Sequence, residues 1–184
     1  MSGHSHFKTI KRVKEANDKK RAQIFSKMAR LISVAVKEFG PNPETNPKLR
    51  AALETAKQMN VPKENIEKAI KRGTGEIGGE KLEEFLFEAY GPGSVAIIIE
   101  GITDNKNRAL GEIKHVLSEN GSKLVGEGGV RWMFERVIKE PGSLEWKPKQ
   151  EVEVDEKTKK ACEKLFEELD DLDSVQEIYS NLKM

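Results

Sequence analysis

Ile24, Met28, Leu31, Ala35 and Phe39 recur at spacings of three and four, and Phe25, Ile32 and Val36 widen the same stripe. This period predicts a long amphipathic helix. Gly40-Pro41 ends it, because glycine can take the left-handed cap and proline cannot continue the hydrogen bonding. Asn46 followed by Pro47 has the form of an N-cap with proline at the first helical position, and Leu49, Ala52, Leu53 and Ala56 give this second helix its apolar face. A third helix is predicted from near Pro62, with Ile66, Ala69 and Ile70 turned inward, ending at Gly73. Short helices with such thin apolar faces must pack on one another, so a three-helix bundle is expected.

The pattern changes over residues 74–80, where closely spaced glycines and no periodicity indicate a link. Beyond it, Phe85, Phe87 and Ala89 alternate with Leu86, Glu88 and Tyr90, Gly91-Pro92-Gly93 makes a turn, and Val95–Ile99 is a β-branched run, which together predict a hairpin with one buried strand. Asp104 or Asn105 caps a helix at about 107–120 with Leu110, Ile113 and Leu117 inward, stopped by Asn120-Gly121. A strand over Val130–Val137, with Trp132 and Phe134 on one face, a short strand near Gln150–Val154, a helix over Glu156–Leu169 and a last strand over Val175–Tyr179 complete the series. The expected fold is α+β and multi-domain. A helical domain occupies residues 1–76, and a small α/β sandwich occupies 77–184.

Charge divides the chain at the same place. The whole sums to +1, yet residues 1–75 hold 17 Lys and Arg against seven Asp and Glu, while the rest holds 15 against 24. Phe7, Lys8, Lys11, Arg12, Lys14, Lys19, Lys20 and Arg21 precede the strong apolar stripe, so their charge is not needed to solvate a packed face, and Lys27 and Arg30 extend the series along the helix. Uncompensated charge of this density repels itself unless a polyanion is present, and Phe7 offers a ring for base stacking. The segment has no bulky apolar face opposite its cations, which argues against a membrane-surface helix. Lys106 and Arg108, beside the capping turn of the helix at 107–120, make a second basic spot where backbone N–H groups could hold a phosphate. A capping turn and nothing more is the other reading of that spot.

The remaining chemistry is sparse. GTGEIG at 73–78 matches a dinucleotide-binding pattern, but that pattern needs a strand before it and a helix start after it, whereas here it follows a helix. His4 and His6 lie near the amino end and could bind copper or nickel only through an accident of terminal chemistry, and His115 has no zinc-like spacing. Asp170, Asp171 and Asp173 lack the spacing of a calcium loop and read as a solvated turn rather than a metal site, with attraction to the basic front as a third reading. No nucleophile motif surrounds any Ser, Cys or Lys, so no enzyme, cofactor or metal is expected. The single Cys162 cannot form an internal disulfide, and no apolar run is long enough to span a bilayer, which fits a cytoplasmic protein; the oligomeric state is unknown, with a monomer favoured. A protein-interaction module, with an acidic domain that binds a basic partner, is the alternative to nucleic-acid binding.

The opening GHS with its basic run, NPKLRAALETAKQMNVPKENIEKAIKRGTG, FEAYGPGSVAIIIEGITDNKNRALGEIKHVLSENG and LDDLDSVQEIYSNL resemble the YebC/PmpR family. That family includes the mitochondrial translational activator of cytochrome c oxidase subunit I. The resemblance implies a regulator without enzymatic activity, either a translation factor on ribosomal RNA or a transcriptional regulator on DNA. Ribosomal RNA is the favoured target, since no helix-turn-helix reading pattern stands out. Two departures stand out. Ser5-His6-Phe7 replaces the family's Ser-Lys-Trp, which removes a lysine at His6. Only Ile138–Lys149 bridges the place where longer members carry an inserted α/β domain, so nothing that domain does carries over.

Overall fold

Asn46 ties the first two helices together. The computed structural model describes residues 18–79 and 81–183, in which α1 spans Asp18–Phe39, α2 Pro47–Gln58 and α3 Lys63–Thr74. The Asn46 side chain accepts the Leu49 N–H at 2.9 Å, as the sequence predicts for an N-cap, and its amide also donates to the carbonyls of Ala35 and Gly40, each at 2.8 Å. It is fully buried. One residue thus satisfies the start of α2 and the end of α1, where a buried polar group without partners would cost about 1–3 kcal/mol.

The chain divides into two compact units. One takes the described residues through Glu83 together with Ile138–Glu145, and the other takes Glu84–Val137 and the chain from Trp146 onward. In the helical unit, Met28, Ile32, Ala35 and Val36 of α1 meet Leu49, Ala52 and Ala56 of α2 and Ala69 of α3. Phe39 departs from the predicted stripe. It lies in the last turn of α1, beyond the reach of this core, and is 64% exposed. The third helix also ends later than expected. Gly75, at φ +81°, forms the left-handed cap, whereas Gly73 is needed for packing. A Cβ on Gly73 would lie 2.6 Å from the Val36 Cβ and 2.7 Å from the Ser33 carbonyl oxygen, and the Ser33 hydroxyl donates to the Ala69 carbonyl at 2.8 Å. Residues 138–145 join this unit through Gly142, whose α-carbon sits so close to Pro47 that a Cβ would fall 2.3 Å from the proline carbonyl.

The second unit is built on a four-stranded sheet in the order β3-β1-β2-β6, with β1 at Glu83–Tyr90, β2 at Ala96–Thr103, β3 at Lys123–Val125 and β6 at Val175–Ser180. β3 runs antiparallel to β1, and β6 antiparallel to β2. The Gly91 N–H to Val95 carbonyl bond, at 2.8 Å, closes the predicted turn between β1 and β2. One face packs Phe85, Ala89, Ile97 and Ile99 against α4 (Lys106–Glu119) and α5 (Glu156–Asp170). Ala109, Ile113 and Leu117 are the inward residues of α4, so the face is rotated slightly from the predicted one, and Leu110 is only half-buried. The opposite face, with Ala96 and Ile98, is covered by Val130 and Phe134, and by Trp146 at its margin.

Two expectations about strands require correction. Residues 131–133 form a short 3₁₀ turn, and β4 begins only at Phe134 and runs to Glu140. Trp132 and Phe134 therefore share no strand face: the indole is exposed while the phenyl ring is buried. The cause lies in Glu88, whose carboxylate takes the Val130 and Arg131 N–H groups that a ladder would have used. The strand expected at Gln150–Val154 is reduced to one bridge between Val152 and Leu182, because this segment meets the chain only past the end of β6. The strand that follows β4 is instead β5, Ser143–Pro148, which pairs with it in a separate two-stranded sheet.

Candidate nucleic-acid interface

Phe7, Lys8, Lys11, Arg12 and Lys14, with His4 and His6, lie outside the described residues. The rest of the basic series is carried by α1. Between Asp18 and Glu38 this helix has six Lys or Arg and no Asp or Glu. At 100° per residue, Lys19, Lys27 and Arg30 fall within about 80° of one another and roughly opposite Met28 and Ala35, which are buried. Lys19, Lys20 and Arg21 are exposed, while Lys27 and Arg30 lay part of their stems along the helix surface. The contrast with α3 is instructive. There Lys68 contacts Glu64 at 2.7 Å and Lys63 approaches Glu67 at 3.7 Å, and the Lys68 ammonium holds the Glu64 carboxyl below its ordinary range. The first turns of α3 thus pair their lysines with glutamates, although its last turn carries Lys71 and Arg72, while α1 accumulates one sign from Lys19 to Lys37.

Lys106 and Arg108 belong to the other unit, in the first turn of α4. Thr103 accepts the Asn105 N–H at 3.0 Å through its hydroxyl oxygen, and the Asn105 side chain caps the helix by accepting the Arg108 N–H at 3.0 Å. Arg108 is held by Asp104 and lies 3.8 Å from Glu112, so its charge is locally compensated, whereas Lys106 is exposed. Lys106 is thus the stronger cation of this spot. The GTGEIG stretch begins in the last turn of α3 and runs into the loop beyond it, where carbonyls rather than N–H groups face outward, which is the wrong polarity for a phosphate. Among the described residues no group of three or more His, Cys, Asp or Glu could hold a metal ion, and no helix is long and apolar enough to cross a membrane.

The basic helical segment matches the model of the TACO1/YebC N-terminal domain over residues 5–76, and the remainder matches the TACO1/YebC second and third domain over 82–140 and 137–182. The chain belongs to the TACO1/YebC family. Within it, a relative from Fervidobacterium nodosum, named "Probable transcriptional regulatory protein", is 47% identical over 95% of this chain and 68% of its own length. A second, from Caldanaerobacter subterraneus and named "Probable transcriptional regulatory protein TTE1135", is 54% identical over 74% of this chain. The chain covers 56% of that relative's length. The crystal structure of a conserved hypothetical protein, Aq1575 from Aquifex aeolicus, superposes with a TM-score of 0.82 at 35% identity, covering 90% of this chain and 91% of that one. The two stretches that match the second and third domain overlap at 137–140, in β4.

Two residues of this YebC-family chain have roles that the sequence pattern does not assign. Glu88 faces the covered side of the sheet with its side chain 1% exposed. It accepts N–H groups from Gly128, Val130 and Arg131, each at 2.8 Å, and the Arg131 guanidinium at 3.1 Å. Burial alone would raise its carboxyl pKa, but these donors outweigh burial and hold it below the ordinary value. The second is Trp132, on the turn that Glu88 organises. A signal for Glu88 was available: it shares strand parity with Leu86 and Tyr90, and an acid at an inward position must have partners.

Proposed function

We propose that this chain is a nucleic-acid-binding regulator of gene expression that acts on structured RNA of the ribosome as a translation factor. The observation that carries this reading is the acid-free cationic stretch of α1 from Lys19 to Lys37, continuous in sequence with the basic residues that precede it. A helix with one sign of charge is stabilised by a polyanion, and phosphate contacts fix position without reading sequence. The sequence carries no helix-turn-helix reading pattern, which supports RNA over sequence-specific DNA. Lys106 supplies a further phosphate contact in this reading. The names of the relatives favour a second reading, regulation of transcription through DNA.

The test replaces Lys19, Lys20, Arg21 and Lys27 with Gln and measures binding to ribosomal RNA fragments and to duplex DNA of equal charge at two salt concentrations. RNA affinity falls in the variant, and its log–log salt slope shrinks by about 0.7–0.9 for each phosphate that is no longer neutralised. Unchanged affinity and slope would overturn the reading. Preference for duplex DNA over ribosomal RNA would decide for transcription.

A further inference from the structure

The segment GEGGVRWMF, residues 126–134, holds an indole in water between two buried apolar residues. Trp132 is 65% exposed, while Val130 and Phe134 are essentially inaccessible. A bulky ring left exposed forgoes the transfer free energy that burial would supply. On a loose loop this would mean little, but the turn that carries Trp132 is fixed from several sides. Glu88 takes the N–H groups of Gly128, Val130 and Arg131. The Met133 N–H donates to the Val130 carbonyl at 2.9 Å. The indole N–H donates to the Gly129 carbonyl at 3.2 Å, and the Trp132 carbonyl accepts the Lys149 ammonium at 2.8 Å. With its polar edge satisfied within the protein, the ring offers the solvent its apolar surface.

We infer that Trp132 is a stacking platform for an unpaired nucleobase, flanked by Lys149 as a contact for the adjoining phosphate. This inference rests on the nucleic-acid reading above and adds a second contact in the α/β unit. Three features select this occupant. The ring is already oriented, so stacking loses little conformational freedom. Its hydrogen-bond neighbour Lys149 is a cation that uses one of its three protons on the Trp132 carbonyl, while Arg131 is held by Glu88 and Glu127. Trp132 is also the one large exposed hydrophobic among the described residues of its unit. A protein interface centres on an anchor enclosed by a ring of further contacts, whereas a single base needs one aromatic face. A fully paired duplex offers no such base, so the partner is a single strand, loop or bulge.

The experiment uses the full chain with Trp146→Phe, which leaves Trp132 as the sole indole. A single-stranded RNA 12-mer and a duplex of the same length are titrated, with Trp132 emission and affinity followed together. The single strand quenches the emission. Trp132→Ala weakens its binding about 5- to 150-fold, Trp132→Phe restores most of it, and neither substitution alters the salt slope, because no phosphate contact is removed. Single-strand binding without quenching, and equal in the alanine variant, would overturn the platform while leaving nucleic-acid binding by α1 intact. Failure of the chain to bind any nucleic acid at low salt would overturn both. Unchanged RNA affinity together with loss of self-association in Trp132→Ala would assign the ring to a protein contact and overturn the platform as well.

Discussion

Gly73 and Val36 approach so closely that a Cβ on the glycine would lie 2.6 Å from the valine Cβ. The contact sets the distance between α1 and α3, and it reverses the ordinary effect of glycine within a helix. Replacing an interior helical glycine with alanine normally stabilises by about 0.5–1 kcal/mol. Here overpacking against Val36 and the Ser33 carbonyl dominates, so Gly73→Ala destabilises by about 1–3 kcal/mol. Urea denaturation followed by circular dichroism measures the change.

Asn46 works in two directions, as a cap acceptor and as a double donor. Aspartate is normally as good an N-cap as asparagine. At this site Asn46→Asp keeps the acceptor but brings a charge toward the Ala35 and Gly40 carbonyls, so it costs at least as much as Asn46→Ala, about 2–4 kcal/mol from a lost cap and unpaired buried groups. Equal stability of Asn46→Asp and wild type in urea would show that the donor contacts contribute nothing.

Glu88 makes stability depend on acid. Its carboxyl pKa is lower in the folded protein than in the unfolded chain, so its contribution is fully present above the unfolded value, near 4.3, and is lost as pH falls through the folded value. Glu88→Gln removes charge-assisted bonds and destabilises by about 1.5–3 kcal/mol at neutral pH. The gap between variant and wild type closes as pH falls from the unfolded value through the folded one. Unfolding curves for both proteins across that range provide the measurement.

Cys162 is buried with its thiol toward the Pro92 carbonyl, and burial followed by the nearby Glu163 charge raises its pKa. It therefore resists a thiol reagent in the native state. Modification proceeds at the rate of structural opening and accelerates with urea, whereas rapid labelling of the native protein would contradict the burial of this residue.

Elements with one strong period were legible in the sequence. The stripe of α1, the cap at Asn46 and the alternation of β1 reflect local rules that tertiary contacts did not oppose. Failures arose where a long-range contact decided. Gly73 reads as a stop signal until Val36 is placed beside it. Residues 130–133 read as strand until the Glu88 carboxylate captures their N–H groups from 42 positions away. The cations of α1 are visible in the sequence, and the compensation of Arg108 by Asp104 and Glu112 follows from helical spacing alone. Trp132 was misassigned for the same reason as its turn, since a β-rich run does not reveal which of its rings remains in water.

Because Ile138–Glu145 clusters with the helices while the chain on either side of it does not, the polypeptide leaves the helical unit at Glu83, returns at Ile138 and departs again after Glu145. No single cut separates the two bodies. A gene fragment that stops at residue 83 encodes α1 to α3 without the piece seated by Gly142 against Pro47, and chimaeras that exchange this region between relatives must carry two discontinuous segments from the same parent.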